Sequence, residues 1–168
     1  YVPGSSTTDD EGVPSRRKAL IERGVASSFL YDLQTACQAG VASTGNGSRS
    51  LGSLPAPSAS VLVIDEGDVP YADMISDVKD GIIVERLLGA GQGNVLAGDF
   101  NANVLLGYRI SNGKPAGRVK NTMISGNAYQ ALDNLAAVGS QARWLGGSLR
   151  TPALYCRGIS VAARGDQG

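Results

Sequence analysis

The chain has 168 residues, of which 42% are hydrophobic and 5% aromatic, and none is histidine. Because no imidazole is present, a Ser-His-Asp or Cys-His catalytic set and a two-histidine zinc helix are excluded within this sequence. The 15 basic and 15 acidic residues give a net charge of +0, which excludes a strongly basic nucleic-acid-binding surface, and no apolar run has the length of a membrane span. We therefore expect neither a nucleic acid nor a membrane as partner.

The chain length and the cysteines give two further expectations. A chain of this length fits one domain, and we predict a polar segment over residues 1–8, a single domain over residues 9–163 and a tail over residues 164–168. Cys37 and Cys156 lie far apart and show no disulfide spacing. Such a pair is typical of reduced thiols, so we expect a cytoplasmic protein.

The predicted domain begins with a hairpin and a short helix. Residues 18–25 predict two strands that meet at a turn containing Gly24. Asp32 has the side chain and the position to cap a helix that runs through Ala39. Gly40 then predicts a left-handed stop at the end of this helix.

A long loop follows, and the remaining elements predict the fold class. Residues 43–58 are polar and glycine-rich, and loops of this length in compact domains are usually functional or disordered. The β-branched run over residues 59–64 predicts a buried strand. The other predicted elements are a helix that starts after Asp68 and closes at Gly81, a strand over 82–88, a glycine-rich turn over 89–93, a meander over 94–123 with a hairpin turn at 111–114, a helix over 127–138 and a strand over 154–162. Together these elements predict an α+β fold with a mainly antiparallel sheet and about three short helices.

Two motifs suggest ligand chemistry but do not fit it. The repeat Gly89-x-Gly91-x-Gly93 lacks the spacing of a dinucleotide-binding fingerprint, which also needs to open a helix. It therefore favours a flexible turn. Adjacent carboxylates at Asp9, Asp10 and Glu11 point in different directions, whereas a calcium loop needs alternating ligands. A solvated acidic turn is the favoured interpretation of that run.

Thr44, Gly45, Asn46 and Gly47 form the most suggestive loop of the sequence. Two glycines around an asparagine allow close approach of another backbone and would offer free N–H groups to an extended peptide. These four residues are our first candidates for contact with a peptide or a partner. Gly91 and Gly93 are the next candidates. An ordinary turn between a helix and a strand remains the alternative.

A series of short motifs, in this order and spacing, resembles the C-terminal domain of the TldD/PmbA family, whose members are also called modulators of DNA gyrase. The resemblance extends from about Asp9 to about Ala162, and its specificity comes from the series, since each motif alone is weak. The motifs are Asp9-Asp10-Glu11-Gly12-Val13-Pro14-Ser15-Arg16-Arg17, Leu20-Ile21-Glu22-x-Gly24, Ser43-Thr44-Gly45-Asn46-Gly47, Asp77-Val78-Lys79-Asp80-Gly81-Ile82, Gly98-Asp99-Phe100, Ile110-Ser111-Asn112-Gly113-Lys114, Ile124-Ser125-Gly126-Asn127 and Val138-Gly139.

The resemblance implies a subunit of a cytoplasmic metalloprotease complex that acts on unfolded or modified peptides. In that family a TldD-type subunit carries an HExxxH zinc helix upstream of this region and a cysteine ligand in a late loop, and the PmbA/TldE type has the same fold without the metal set. Residues 140–150 correspond to the late loop and contain no cysteine, while Cys156 follows in a strand-like run. This favours a non-catalytic PmbA/TldE-like subunit, with no catalytic or metal residues in this chain.

The same resemblance implies the partners. We expect a TldD-type subunit in a heterodimer, or a homodimer, and an extended peptide as substrate. Zinc is expected only in the full-length protein or in the partner subunit. Two alternatives stay open: a piece of an active zinc metallopeptidase whose HExxxH motif lies upstream, and a small-ligand module whose glycine loops bind nucleotide or phosphate.

Overall fold

The computed structural model describes residues 5–91 and 93–163. By its internal contacts the chain divides into two compact units. Unit 1 comprises residues 1–64 and 143–151, and unit 2 comprises residues 65–142 and 152–168. The single domain predicted over residues 9–163 is not tested by this division and remains a prediction.

Unit 1 contains one helix and several very short strands. The two residues between the first strands, Arg23 and Gly24, have φ of 50° and 82°, the left-handed geometry that closes a two-residue hairpin. This confirms the predicted hairpin. The elements are β1 (Ile21–Glu22), β2 (Val25–Ala26), α1 (Leu33–Ala39), β3 (Gly47–Ser48), β4 (Ala56–Pro57) and β5 (Leu62–Val63).

Both predicted ends of α1 are confirmed. The Asp32 carboxylate accepts a hydrogen bond from the Thr35 backbone N–H at 2.7 Å, and the Thr35 hydroxyl oxygen accepts one from the Asp32 N–H at 3.2 Å. This reciprocal pair is a capping box, which satisfies two of the backbone donors that a helix start leaves open. At the other end, Gly40 has φ of 68° and its N–H donates to Ala36 and Cys37 carbonyls.

The strand predicted over residues 59–64 is only partly confirmed. β5 is two residues long, and Leu62 and Val63 are both 44% exposed, so the predicted burial is wrong. The short strand forms a parallel pair in which Leu62 lies opposite Leu149. Within the predicted long loop, β3 and β4 form a two-residue antiparallel pair.

Unit 2 is built on a five-stranded antiparallel sheet with the order β12-β9-β7-β6, in which β8 pairs with β7. Ala102, Val104 and Ile124 from β7 and β9 form its buried core. The unit boundaries fall inside β10 and β11, so these two strands contribute residues to both units. The elements are α2 (Tyr71–Ser76), β6 (Asp80–Leu88), a 3-10 turn (Val95–Ala97), β7 (Asp99–Ser111), β8 (Lys114–Arg118), β9 (Thr122–Asn127), α3 (Ala128–Asp133), β10 (Leu135–Leu145), β11 (Leu149–Cys156) and β12 (Ser160–Ala163).

The sheet confirms the predicted hairpin turn. Asn112 and Gly113 have φ of 49° and 74°, and they connect β7 to β8. The Asn112 and Gly113 N–H groups also donate to the Lys79 and Val78 carbonyls at 2.7 and 2.8 Å. The turn is therefore fixed by its own geometry and by hydrogen bonds to the segment before β6.

Three predicted boundaries are wrong. The helix predicted over residues 127–138 ends at Asp133, and residues 135–138 belong to β10. Gly139 of this strand lies so close to Ala153 that a Cβ added to Gly139 would be 3.2 Å from the Ala153 carbonyl oxygen. This close packing between strands outweighs the helical periodicity of the sequence. The predicted strand over 154–162 is two strands, interrupted at Gly158 with φ of 79°. The second helix is shorter than predicted, since α2 ends at Ser76.

The predicted fold class is confirmed. The strand pairs are antiparallel except for the pairing of β5 with β11 and one isolated bridge between Val69 and Gly139, and the described part of the chain has three α-helices. None of the helices in that part is long and apolar enough to cross a membrane.

Candidate functional site

The acidic run at the start of unit 1 organises the backbone around it. Asp9 Oδ1 accepts hydrogen bonds from the Glu11 and Val13 N–H groups at 3.0 and 2.8 Å, which closes a tight turn. Asp9 Oδ2 accepts a third bond from the Gly47 N–H at 2.8 Å. One carboxylate therefore connects its own turn to a loop 38 residues further along the chain.

The two following carboxylates also bind backbone donors outside the turn. Asp10 Oδ2 accepts from the Arg49 N–H at 2.8 Å, and Glu11 Oε2 accepts from the Leu33 N–H at 2.8 Å. The predicted turn is present and Asp10 is exposed, but the side chains are not merely solvated, because each accepts a backbone hydrogen bond. Asp9 and Asp10 bind the segment around β3 and Glu11 binds the start of α1, contacts that sequence proximity alone does not indicate.

The electrostatics of Asp9 agree with this geometry. Burial by itself raises the pKa of Asp9, but the hydrogen bonds from Gly47, Val13 and Glu11, together with the positive charge of Lys18, outweigh it. The pKa of Asp9 is consequently below its ordinary value of 3.8. Hydrogen bonds donated to the ionised side chain stabilise that form, so Asp9 is a carboxylate near neutral pH.

Lys18 holds the same loop from a second direction. Its half-buried ammonium group donates to the Thr44 carbonyl oxygen and to Asn46 Oδ1. Burial and the neighbouring Arg16 charge lower the pKa of Lys18, while the charge of Asp9 opposes that change. Charge-assisted bonds to a carbonyl and an amide fix the loop more firmly than neutral ones.

Thr44 and Asn46 are further tied to the segments on either side. The Thr44 N–H donates to the Tyr31 carbonyl at 3.1 Å, and the Tyr31 N–H donates to the Thr44 hydroxyl at 2.7 Å. The Asn46 side-chain amide donates to the Ser58 carbonyl, and the Ser58 N–H donates to the Asn46 carbonyl, both at 2.9 Å. Residues 44–47, which we call the glycine loop, are thus rigidly placed within unit 1.

The two glycines of this loop are buried because backbone and side chains pass close to them. At Gly45, with φ of 69°, an added Cβ would be 2.5 Å from the Pro14 carbonyl oxygen. At Gly47 it would be 2.7 Å from the Glu11 carboxyl carbon. The close approach expected from the sequence is present, but it is to the protein's own backbone and side chains.

One expectation for the glycine loop needs correction. The Gly45 N–H donates to the Ser43 hydroxyl at 3.2 Å, and the Gly47 N–H donates to Asp9. These two N–H groups are therefore not free for a peptide. Whether Thr44, Gly45, Asn46 and Gly47 contact a peptide through other groups remains a prediction.

An open pocket of about 140 Å³ lies beside the glycine loop. Six hydroxyl side chains and two carboxylates line it, with Ala59 as the one apolar residue and no cation among the described lining residues. Its wall can therefore exchange hydrogen bonds with a polar ligand and contains no large apolar side chain. The lining residues are Ser6, Thr8, Asp9, Asp10, Ser15, Gly45, Asn46, Gly47, Ser48, Ser58, Ala59 and Ser60.

The other two predicted site residues belong to unit 2. Gly93 lies against the start of β7, where an added Cβ would be 3.0 Å from the Asp99 carbonyl carbon. Its carbonyl accepts from the Val95 N–H at 2.9 Å, which starts the 3-10 turn. Gly91 has open space around it. Gly93 thus has a packing role, and a binding role for Gly91 and Gly93 stays a prediction.

The residues present do not fit a zinc ion. The sequence has no histidine, and the described residues hold no group of three or more His, Cys, Asp or Glu side chains that could bind a metal. Cys156 is half-buried in β11, and burial raises the pKa of its thiol, which disfavours the thiolate that zinc binds. We derive no metal-dependent step within this chain.

Comparison with known proteins decides the family. The family model of the PmbA/TldA metallopeptidase C-terminal domain matches residues 2–163. The chain belongs to this family. It is 33% identical to a metalloprotease of Methanothermobacter thermautotrophicus, over 83% of this chain and 31% of that protein. It is also 33% identical to a TldD metalloprotease homologue of Haemophilus influenzae, over 82% of this chain and 29% of that protein.

A solved structure of the family shares the fold. TldE from Thermococcus kodakarensis superimposes with a TM-score of 0.83 at 28% identity, over 94% of this chain and 36% of that one. The chain thus spans about a third of the length of the relatives it matches. The resemblance drawn from the motif series is confirmed.

Sequence reasoning missed the two side chains that fix the glycine loop. Asp9 and the loop both occur in the motif series, but nothing local indicates that they bond to each other. Lys18 gave no signal for contact with this loop, because a single lysine after two arginines is normally a solvated charge. A signal would have been the co-occurrence of the two motifs in relatives, which one sequence does not contain.

Proposed function

We propose that this chain is the C-terminal domain of a non-catalytic, PmbA/TldE-like subunit of a metallopeptidase complex, and that it helps to bind extended or unfolded peptides. The glycine loop and its pocket carry the proposal. The pocket offers hydroxyls and main-chain groups, which suit a ligand recognised through its main chain and not through apolar side chains. Membership of a metallopeptidase family supports a peptide as that ligand.

The absence of histidine supports the non-catalytic assignment for this domain. A zinc peptidase site needs three protein ligands and an open position for water. In the proposed complex a TldD-type subunit supplies that site, and this chain contributes a wall that holds the peptide. A homodimer is the alternative assembly, and the proposed location is the cytoplasm.

Co-purification tests the partner. The full-length protein, tagged and purified from its own cells at physiological salt, should retain a TldD-type subunit that mass spectrometry identifies. A control purification with an unrelated tagged protein defines the background. A monomer that retains no such subunit contradicts the heterodimer, and a dimer of one polypeptide points to the homodimer.

An active zinc peptidase is the second candidate, and the TldD name of the Haemophilus relative favours it. In that case the full-length protein would contain about one zinc ion per chain, and a chelator would abolish hydrolysis of an unfolded protein such as reduced casein. Elemental analysis of the purified subunit, separated from any partner, decides between the two candidates.

A nucleotide- or phosphate-binding module remains the third candidate because the chain has several glycine-rich loops. Calorimetric titration with ATP and with inorganic phosphate tests it. Micromolar binding of either ligand would contradict the peptide-binding proposal.

A further inference from the structure

The main chain of the glycine loop has one peptide group without a hydrogen-bond partner among the described residues. Each of residues 44–47 has one N–H and one C=O group, and six of these eight groups bond within the described part of the protein. The donors are the N–H groups of Thr44, Gly45 and Gly47, bonded to Tyr31, Ser43 and Asp9. The acceptors are the carbonyls of Thr44, Asn46 and Gly47, bonded to Lys18, Ser58 and Asp10.

The two remaining groups are the Gly45 carbonyl and the Asn46 N–H, which have no hydrogen-bond partner among the described residues. Both belong to the single peptide group that joins Gly45 to Asn46. Gly45 is buried, and both residues line the pocket. A main-chain group that lacks a protein partner at an open pocket can bond to water or to a ligand.

Hydrogen bonds fix the main chain on both sides of this peptide group. Lys18 fixes the Thr44 carbonyl on one side, and Asp9 fixes the Gly47 N–H on the other. The Asn46 side chain is fixed as well, since it bonds to Lys18 and to Ser58. The Gly45–Asn46 peptide group thus lies between two fixed points of the main chain.

We propose that the Gly45–Asn46 peptide group is the main-chain anchor for an extended peptide, and that Lys18 and Asp9 are the positioning residues that keep it open toward the pocket. This inference rests on the proposed peptide-binding function. It assigns recognition to backbone atoms, so binding depends on the ligand's main chain and tolerates different side chains. Neither Lys18 nor Asp9 is required to touch the ligand.

The first test uses an isotope-labelled sample of the full chain and a fluorescein-labelled disordered peptide with capped ends. Titration should shift the nuclear magnetic resonance signals of the Gly45 carbonyl and the Asn46 amide more than those of Gly52, an exposed glycine with open space around it. The same peptide with N-methyl groups on alternate nitrogens keeps its side chains but loses main-chain donors. It should bind at least about tenfold more weakly, as expected for the loss of one or more hydrogen bonds.

The second test addresses the positioning residues. Lys18→Met, which removes the ammonium group but keeps the length of the side chain, should weaken peptide binding about tenfold, the effect of one charge-assisted bond. Lys18→Arg keeps a donor and should recover most of the affinity. Lys120→Met, at an exposed lysine of unit 2, is the matched control and should leave binding unchanged. Asp9→Asn is the second variant if Lys18→Met does not fold.

The outcomes separate this inference from the proposed function. If the peptide binds without shifting the Gly45 and Asn46 signals, or if N-methylation has no effect, the inference is wrong and peptide binding stands. Unchanged affinity in folded Lys18→Met or Asp9→Asn removes the positioning role. If the unmodified peptide does not bind at all, the proposed function and the inference both fail.

Discussion

Unit 1 and unit 2 are stabilised by different interactions, although one chain builds both. Of the six buried hydrophobic side chains in the described residues, five lie in unit 2 and only Ala36 lies in unit 1. Unit 2 has strands of up to 13 residues and a five-stranded antiparallel sheet. In unit 1, every strand that lies wholly within it has two residues, and Asp32 is its most deeply buried side chain.

The comparison shows how a loop can be held in place without a hydrophobic core. In unit 1, carboxylates of residues 9–11 and the ammonium group of Lys18 bind backbone groups far away in sequence. Such bonds are directional, so they fix atomic positions, whereas apolar burial in unit 2 is non-directional and mainly supplies stability. A binding loop requires fixed positions, and the candidate site accordingly lies in unit 1.

The largest expected effect on stability comes from a substitution in the hydrophobic core of unit 2. Ile124 is 6% exposed and packs with Ala102 and Val104, so Ile124→Ala should lower the free energy of unfolding by about 3 kcal/mol through lost burial and a cavity. The next residue, Met123, is 40% exposed, and Met123→Ala should cost less than about 1 kcal/mol. Urea unfolding followed by circular dichroism measures both. Equal costs would contradict a core on that side of the sheet.

The next effect tests close packing in unit 1. Gly45→Ala places a methyl group 2.5 Å from the Pro14 carbonyl oxygen at a φ of 69°, and we expect a loss of about 2 to 3 kcal/mol from strain and displacement. Gly52 has φ of 83° but open space, so Gly52→Ala should cost only about 1 kcal/mol. Trp144, the one tryptophan of the chain, lies in unit 1 and reports unfolding by fluorescence.

If the two alanine variants are equally stable, the left-handed backbone alone sets the cost at both positions. The glycine loop would then not be closely packed against the N-terminal turn. That result would weaken the description of unit 1 as a rigid support for the loop.

A smaller effect is expected with acid. The folded pKa of Asp9 is lowered from 3.8. A carboxyl of this kind contributes stability that is present above its unfolded pKa and is lost as the pH falls through the folded pKa. Unit 1 should therefore lose stability as the pH falls below about 4. Asp32, whose pKa is also lowered, mainly by bonds from Thr35, contributes in the same direction.

The Asp9→Asn variant distinguishes the contribution of Asp9 to the acid dependence from that of Asp32. It should remove the Asp9 part of the acid dependence and leave the Asp32 part, in urea titrations followed through Trp144 between neutral and acid pH. An unchanged acid dependence in this variant would show that Asp9 is not preferentially ionised in the folded state.

The smallest effect concerns surface charge in unit 2. Arg109 and Asp80 form an ion pair at 3.3 Å, with side chains 62% and 75% exposed. Because water and salt screen such a pair, Arg109→Ala should change the free energy of unfolding by no more than about 0.5 kcal/mol. A double-mutant cycle with Asp80→Ala measures the coupling. A coupling above about 1 kcal/mol would mean that polar contacts also stabilise unit 2.

Local patterns predicted the elements whose signals lie within a few residues. The capped helix from Asp32 to Gly40 and the turn at Asn112–Gly113 were predicted because cap and turn residues act on their immediate neighbours. The second half of the helix predicted over residues 127–138 was wrong. Its apolar residues fit a helix and a strand equally well, and pairing with the next strand, β11, decided between them.

The candidate site shows the same division. The glycine loop was identified from its composition, because two glycines around an asparagine indicate close backbone approach. What approaches it was not predictable, since Asp9 and Lys18 are 38 and 28 residues from their loop partners. Sequence distance of that size carries no geometric information without a fold.

The sequence by itself determined that no histidine-based chemistry resides in this chain, that the fold is α+β, and that the chain belongs with the TldD/PmbA family. These follow from residue types and from short motifs. The bonds from the acidic turn to the glycine loop, and a Gly45–Asn46 peptide group without a partner among the described residues, follow only from the folded chain. Hydrogen bonds between distant segments form only when folding brings their donors and acceptors within about 3 Å.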